Sequence, residues 1–291
     1  MKRGRSDLSA HAGLCRMRIA LFSSFSAATG FVLARPGFSP EMLPLALGVF
    51  LLACGASALN QYQERGIDAV MPRTRTRPVP SGKISPRNAL RFSLVLIASG
   101  SLTLIFTGSV LSPSLGLTGV IWYNGLYTAM KKKTAFAVVP GAIVGAITPA
   151  IGWVAGYGSF SDPRLISLCF FFFMWQVPHF WLLLLNYGEE YERAGLPSLT
   201  GIFSRTQLLR IIFIWIFAAA VSCLFLPVTG IVRTPALRYL LVGSSLWLVW
   251  NGLTLLRFKA AERSFSSAFG KINGYMFFAM VLLSADRVFF R

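Results

Sequence analysis

Charge is scarce in this chain, and negative charge is scarcer still. Only 13% of the 291 residues are charged, with 10 Asp/Glu against 28 Lys/Arg, where a soluble domain averages roughly 25% charged. With 55% hydrophobic and 14% aromatic residues, both an ordinary soluble domain and a disordered chain are excluded. Cysteine is sparse and dispersed: Cys15, Cys54, Cys169 and Cys223 have no CxxC spacing, so neither a disulfide framework nor a zinc site is indicated. No AxA-type cleavage site follows the basic Met1–Arg18 segment. Residues 1–17 therefore read as a basic cytoplasmic tail and not as a signal peptide. The basic residues fall in short clusters between apolar runs and form no basic module, which argues against nucleic acid as a partner.

Apolar runs, in contrast, recur from end to end. Windows of about 20 residues, the length that crosses a bilayer, predict nine spans near 18–34, 40–59, 88–108, 111–130, 135–157, 163–186, 207–228, 235–256 and 271–290. The runs lack the period-two alternation of membrane-barrel strands, so the expectation is an all-α polytopic membrane bundle forming one domain over residues 1–291. If the N-terminus is inside, 22 Lys/Arg fall on inner segments and 6 on outer ones, a strong positive-inside signal. The odd number of spans then puts the C-terminus outside. Five of the seven inner acidic residues fall in just two loops, after the second and sixth spans. Carboxylates do little to set topology, so those loops are where chemistry is expected.

The first loop reads Asn60-Gln-Tyr-Gln-Glu64-Arg-Gly-Ile-Asp68, then Arg73-Thr-Arg75-Thr-Arg77-Pro. A helix continued past Leu59 would bring Asn60, Glu64 and Asp68 onto one face. A hard cation relieves the repulsion between such carboxylates, and Mg²⁺ is commonly held by one or two of them plus substrate phosphate oxygens. Guanidinium forks downstream suit phosphate. Together they read as a diphosphate–Mg²⁺ site, the alternative being a solvated helix end whose acids pair with Arg65 and the following arginines.

In the second loop, Glu189, Glu190 and Glu192 supply further carboxylates on the same side of the membrane. Gln176 and His179 lie inside the preceding span, at a depth where a polar group needs a partner, a cavity or a ligand. For His179 an interhelical hydrogen bond and a ligand-facing role both remain open. Between the loops, Lys131, Lys132 and Lys133 anchor the inner surface, and Lys132 could also reach a phosphate. The stretch Pro140-Gly-Ala, Gly145-Ala and Pro149-x-x-Gly152-Trp153 permits close helix approach around a cavity.

On these residues the chain resembles the UbiA-type intramembrane prenyltransferases from about Arg16 to the last span, and within them the haem-farnesylating branch. General members carry N/D-x-x-x-D-x-x-x-D in the first polar loop and D-x-x-x-D in the second. Here the branch is marked by Asn60-x-x-x-Glu64-x-x-x-Asp68 with Arg73-x-Arg75-x-Arg77-Pro, and by Tyr127-Thr with the lysines and Thr134. It is marked further by Pro149-x-x-Gly152-Trp153, by Trp175-Gln-x-Pro-His179-Phe and by the Tyr187 to Pro197 run. Glu189-Glu190 stands where the branch usually shows Asp-Asp, and Pro197-Ser198-Leu199 where it shows Pro-Met-Leu-Pro. The resemblance implies farnesyl transfer from farnesyl diphosphate to a vinyl group of haem B, in a bacterial-type inner membrane with the active-site loops cytoplasmic. It assigns Asn60, Glu64, Asp68, Glu189 and Glu190 to Mg²⁺, and Arg73, Arg77 and Lys132 to the diphosphate, with His179 toward haem. A quinone-precursor prenyltransferase and a transporter of an anionic lipid or small anion are the competing readings.

Overall fold

The computed structural model describes residues 2–256 and 262–290, and among these there is no β-strand. Arg257, Lys259 and Arg291, which enter the charge count, lie outside the described residues. The helices are α1 (Lys2–Cys15), α2 (Met17–Ala34), α3 (Met42–Gln63), the short α4 (Arg65–Val70) and α5 (Pro86–Ile105). Next come α6 (Leu111–Val120), α7 (Thr128–Met130), α8 (Val138–Gly141), α9 (Ile143–Ala155) and α10 (Pro163–Arg193). The last three are α11 (Arg205–Val228), α12 (Pro235–Leu253) and α13 (Glu262–Phe289). Eight stretches among the described residues are long and apolar enough to cross a membrane. The remaining expected span, 111–130, is also helical, but its middle, Ile121–Tyr127, is π-helix, so it is divided between α6, the π segment and α7. The protein is integral to the membrane.

Local sequence sets where the spans begin. The Ser85 side chain accepts from Asn88 N–H with Pro86 following, and Asp162 accepts from Arg164 N–H with Pro163 following. Ser204 and Gln207 form a reciprocal capping box at the start of α11. In each case a side-chain oxygen satisfies a backbone donor that the first helical turn leaves unpaired.

Small residues then let the helices meet at backbone distance. A Cβ on Gly152 of α9 would stand 1.7 Å from the Ala27 carbonyl oxygen of α2, and one on Gly30 of α2 would stand 2.0 Å from that of Pro149. The two glycines open the same α2–α9 seam from opposite sides. Lipid offers no hydrophobic drive between helices, so close packing of this kind holds a membrane bundle together. A large apolar core runs through α9 to α13, including Phe171, Phe172, Trp175 and Tyr275, and a second joins α2, α3 and α9.

The segment expected as a basic tail carries structure of its own. It is helical, and it packs beneath α3: Gln61 donates to the carbonyls of Gly13 (3.1 Å) and Leu14 (3.0 Å). Ala10 and Leu14 join Ala58, Val79, Ile84 and Ala89 in a small apolar cluster. The apolar positions are too few to signal a span, yet they suffice to dock the helix. At the opposite end of the bundle, the Asp286 carboxylate accepts from the backbone N–H groups of Arg233 (2.8 Å) and Thr234 (3.0 Å), tying the end of α13 to the start of α12.

Candidate active site

The first acidic loop keeps its helical register across a break. Glu64 leaves the α conformation (φ −105°, ψ 8°) and ends α3, after which α4 restarts at Arg65. Backbone bonds from Glu64 N–H to Asn60 (2.9 Å) and from Asp68 N–H to Glu64 (2.8 Å) nevertheless continue the four-residue step. Asn60, Glu64 and Asp68 are 3%, 4% and 3% exposed, and a carboxylate so buried is costly unless paired. Each acid finds a cation from elsewhere in the chain. Glu64 is ion-paired with Lys131. Asp68 accepts from Arg77 Nη1 at both of its oxygens, each at 2.8 Å. Asn60 donates to the Thr128 hydroxyl at 3.3 Å, which ties α3 to α7.

Around these acids the basic residues are arranged unequally. The Arg73 guanidinium lies over the Tyr187 ring, 4.6 Å from its centre, bringing the first loop to α10. Burial lowers the Arg77 pKa, with Arg16 acting in the same direction and Asp68 opposing. Arg16 was not singled out from the sequence. It occupies the left-handed region (φ 46°, ψ 53°) at the turn between α1 and α2. There its charge acts on Arg77, Tyr127 and Tyr191. Tyr191 also feels Arg73, Arg77 and Glu64. No sequence signal marked Arg16, because only the folding of α1 beneath α3 brings it there.

Lys132, expected near the diphosphate, is exposed, whereas the preceding Lys131 is largely covered and reaches Glu64. Adjacent helical residues diverge by about 100°, so only one of the two lysines can face α3. Lys131, three residues beyond Thr128, has the right phase. Upstream, the π-helical turn leaves the Tyr123 carbonyl to accept from Thr128 Oγ1 at 2.8 Å. Asn124 donates to the Ala56 carbonyl (3.0 Å) and to Gln63 Oε1 (3.1 Å). Such π turns recur at functional sites because they re-aim a helix face.

The same geometry divides the second acidic loop. At Tyr187 (φ −133°, ψ 15°) α10 leaves regular helical geometry. Beyond this kink Glu189 is turned outward, its side chain 87% exposed and paired with Arg193 at 3.2 Å. Consecutive helical positions cannot share one direction, so of the two expected metal ligands Glu189 and Glu190 it is Glu190 that faces inward, with an oxygen buried. Glu190 Oε2 is buried with no hydrogen-bond partner. Glu192 accepts from the Thr200 hydroxyl.

Deeper in the bundle, His179 follows Pro178 on α10 and meets α13. Its Nδ1 lies 2.7 Å from Asn273 Oδ1. Its ring packs at a tilt against those of Trp175 and Phe269, both with centroids at 4.9 Å, and near-perpendicular to Phe180 at 5.4 Å. Phe180 continues to Tyr127 (6.0 Å) and Tyr127 to Tyr123 (5.7 Å), an aromatic row leading from His179 toward the acids.

Among the described residues no three His, Cys, Asp or Glu side chains are grouped so as to hold an ion by themselves. Mg²⁺ does not require that, since one or two carboxylates with substrate oxygens and waters suffice. The donors present are hard oxygens, and the unpartnered Glu190 oxygen lacks the contact that a buried carboxylate needs. The residues fit such an ion.

The family model described as "UbiA prenyltransferase family" matches residues 23–281. A protoheme IX farnesyltransferase of Geobacter sulfurreducens is 39% identical over 218 residues, 75% of this chain and 80% of that protein. A protoheme IX farnesyltransferase of Oleidesulfovibrio alaskensis is 34% identical over 281 residues, 97% of each. Among solved structures, a UbiA homolog from Archaeoglobus fulgidus bound to GPP and Mg²⁺ superposes with a TM-score of 0.69 at 16% identity, covering 94% of this chain and 99% of that one. At that identity the likeness concerns the fold.

Proposed function

The chain belongs to the UbiA prenyltransferase family, and we propose that it transfers the farnesyl group of farnesyl diphosphate to a vinyl group of haem B, giving haem O. The observation that carries this reading is the meeting, at one end of an apolar bundle, of buried Asn60, Glu64 and Asp68 with Lys131, Arg77 and Arg73. Acids and cations neutralise one another there until a substrate brings both diphosphate charge and a divalent ion. The relatives named for this reaction support the choice of acceptor.

The chemistry follows from the parts. Asn60, Glu64, Asp68 and Glu190 would hold Mg²⁺, which when bound offsets the charge of the departing diphosphate. Arg73, Arg77, Lys131 and Arg16 supply fixed positive charge to the same group. As the allylic C–O bond breaks, its electron pair leaves with the diphosphate. The vinyl π electrons then form the new bond to the farnesyl C1. The cation left beside the porphyrin ring takes up water, which loses a proton to leave a hydroxyl. Tyr123, Tyr127 and Phe180 line the way with π faces that favour a passing cation, and the apolar interior keeps water from the allylic cation before transfer. His179 sits beyond this row, toward the haem. The loops face the cytoplasm of a bacterial-type inner membrane, in keeping with the charge asymmetry.

Purified protein in detergent, given farnesyl diphosphate, haem B and Mg²⁺, should convert haem to a more apolar, later-eluting haem, and EDTA should stop the conversion. Unaltered haem at full Mg²⁺ would overturn the proposal.

A further inference from the structure

We infer that Asn273 is a positioning residue that holds His179 as its Nδ1–H tautomer and so leaves Nε2 free to ligate the haem iron. The iron-facing half of this inference rests on the haem reading above. The tautomer half stands on hydrogen-bond geometry alone.

Asn273 Nδ2 donates to the Phe269 carbonyl one turn back on α13, at 2.7 Å. That bond fixes which end of the amide is which, because a carbonyl cannot donate and the amide NH₂ cannot accept. The atom facing His179 Nδ1 at 2.7 Å is then the amide oxygen. An amide oxygen only accepts, so the proton between them belongs to Nδ1. A neutral imidazole carries one ring proton, and Nε2 keeps its lone pair. Nε2 makes no hydrogen bond among the described residues, and it is not among the unpartnered polar atoms shut away from the surface.

The ring is also held in orientation. Trp175, Phe269 and Phe180 all pack against it, with ring centroids at 4.9, 4.9 and 5.4 Å. Trp175 is itself fixed to α13, donating through Nε1 to the Ile272 carbonyl at 2.9 Å. Consecutive residues of α13, Ile272 and Asn273, thus anchor Trp175 and His179, which lie one turn apart on α10. When a histidine binds a metal through one nitrogen, a partner on the other nitrogen fixes both tautomer and aim. Here that partner is in place in the protein alone. An interhelical hydrogen bond and a ligand-facing role are therefore two ends of one imidazole.

The test uses the full chain in detergent, labelled with ¹⁵N-histidine. The sequence holds only two histidines, so His11→Gln assigns the spectrum. The inference predicts protonated Nδ1 and unprotonated Nε2 for His179. Asn273→Leu should release the tautomer toward Nε2–H and weaken haem B binding, followed by its Soret band, by about 10- to 100-fold. Asn273→Asp, whose carboxylate still accepts from Nδ1–H, should keep Nδ1 protonated and retain haem binding that Asn273→Leu loses. An Nε2–H tautomer in the wild-type protein, or one unchanged by Asn273→Leu, would overturn the inference. Should Asn273→Leu fail to fold, the wild-type and Asn273→Asp spectra still decide it. A Soret band unmoved in His179→Ala would remove iron ligation, and the positioning role with it, while the prenyl-transfer reading above would stand.

Discussion

Glu64 is neutralised by Lys131, 67 positions along the chain, and not by its neighbour Arg65. Arg65 instead turns back to donate to the Tyr62 carbonyl at 2.8 Å and lies over the Tyr62 ring at 4.8 Å. The buried acid of the first loop is thus tied to the end of the fourth span. Replacing Lys131 by Met should lower turnover by about 10²-fold or more, in line with the loss of one preorganised charge from a water-poor site. Lys132→Met should change it little, because that side chain is exposed. Equal effects of the two variants in a steady-state assay would contradict the geometry.

Asp68 and Arg77 form the second such pair, and here charge can be separated from shape. Asp68→Asn keeps the outline but removes the charge that Arg77 and Mg²⁺ would share. Activity should fall by about 10²- to 10³-fold, while insertion and helix content stay those of the wild type. Near-wild-type turnover of Asp68→Asn at limiting Mg²⁺ would remove Asp68 from the metal site.

The α2–α9 seam makes a prediction about stability alone. In Gly152→Ala the new Cβ meets backbone, the Ala27 oxygen at 1.7 Å, so the helices must move apart. Such overpacking costs about 1–3 kcal/mol. Gly243, on α12, has nothing within 4 Å of where its Cβ would stand. Gly243→Ala should leave stability unchanged or raise it by up to about 1 kcal/mol. Thermal unfolding in one detergent distinguishes the two.

Orientation follows from the 22 to 6 division of Lys/Arg. A reporter fused after Lys133 should be cytoplasmic and one fused at Arg291 external. Both on one side would mean that a span had been miscounted.

The spans were legible because a run of about 20 apolar residues has few alternatives in a bilayer. Asn60, Glu64 and Asp68 were legible as a row because the four-residue hydrogen-bond step survives the break at Glu64. What the sequence could not show depends on phase and on long-range closure. Lys131 and Lys132 differ by one helical step, and Glu189 and Glu190 do likewise, so small rotations at the π turn and at Tyr187 decide which member faces inward. Arg16 enters the site only because α1 folds under α3. Asn273 meets His179 from 94 residues away, and nothing local to either residue announces the other.

Haem as the acceptor is tested most directly by a competition. Purified protein with Mg²⁺ and farnesyl diphosphate is offered haem B and a hydroxybenzoate together in ¹⁸O-labelled water, and the products are weighed by mass spectrometry. The product should be haem heavier by one farnesyl group and one ¹⁸O hydroxyl, with the hydroxybenzoate unchanged. Prenylated hydroxybenzoate with unmodified haem would contradict it.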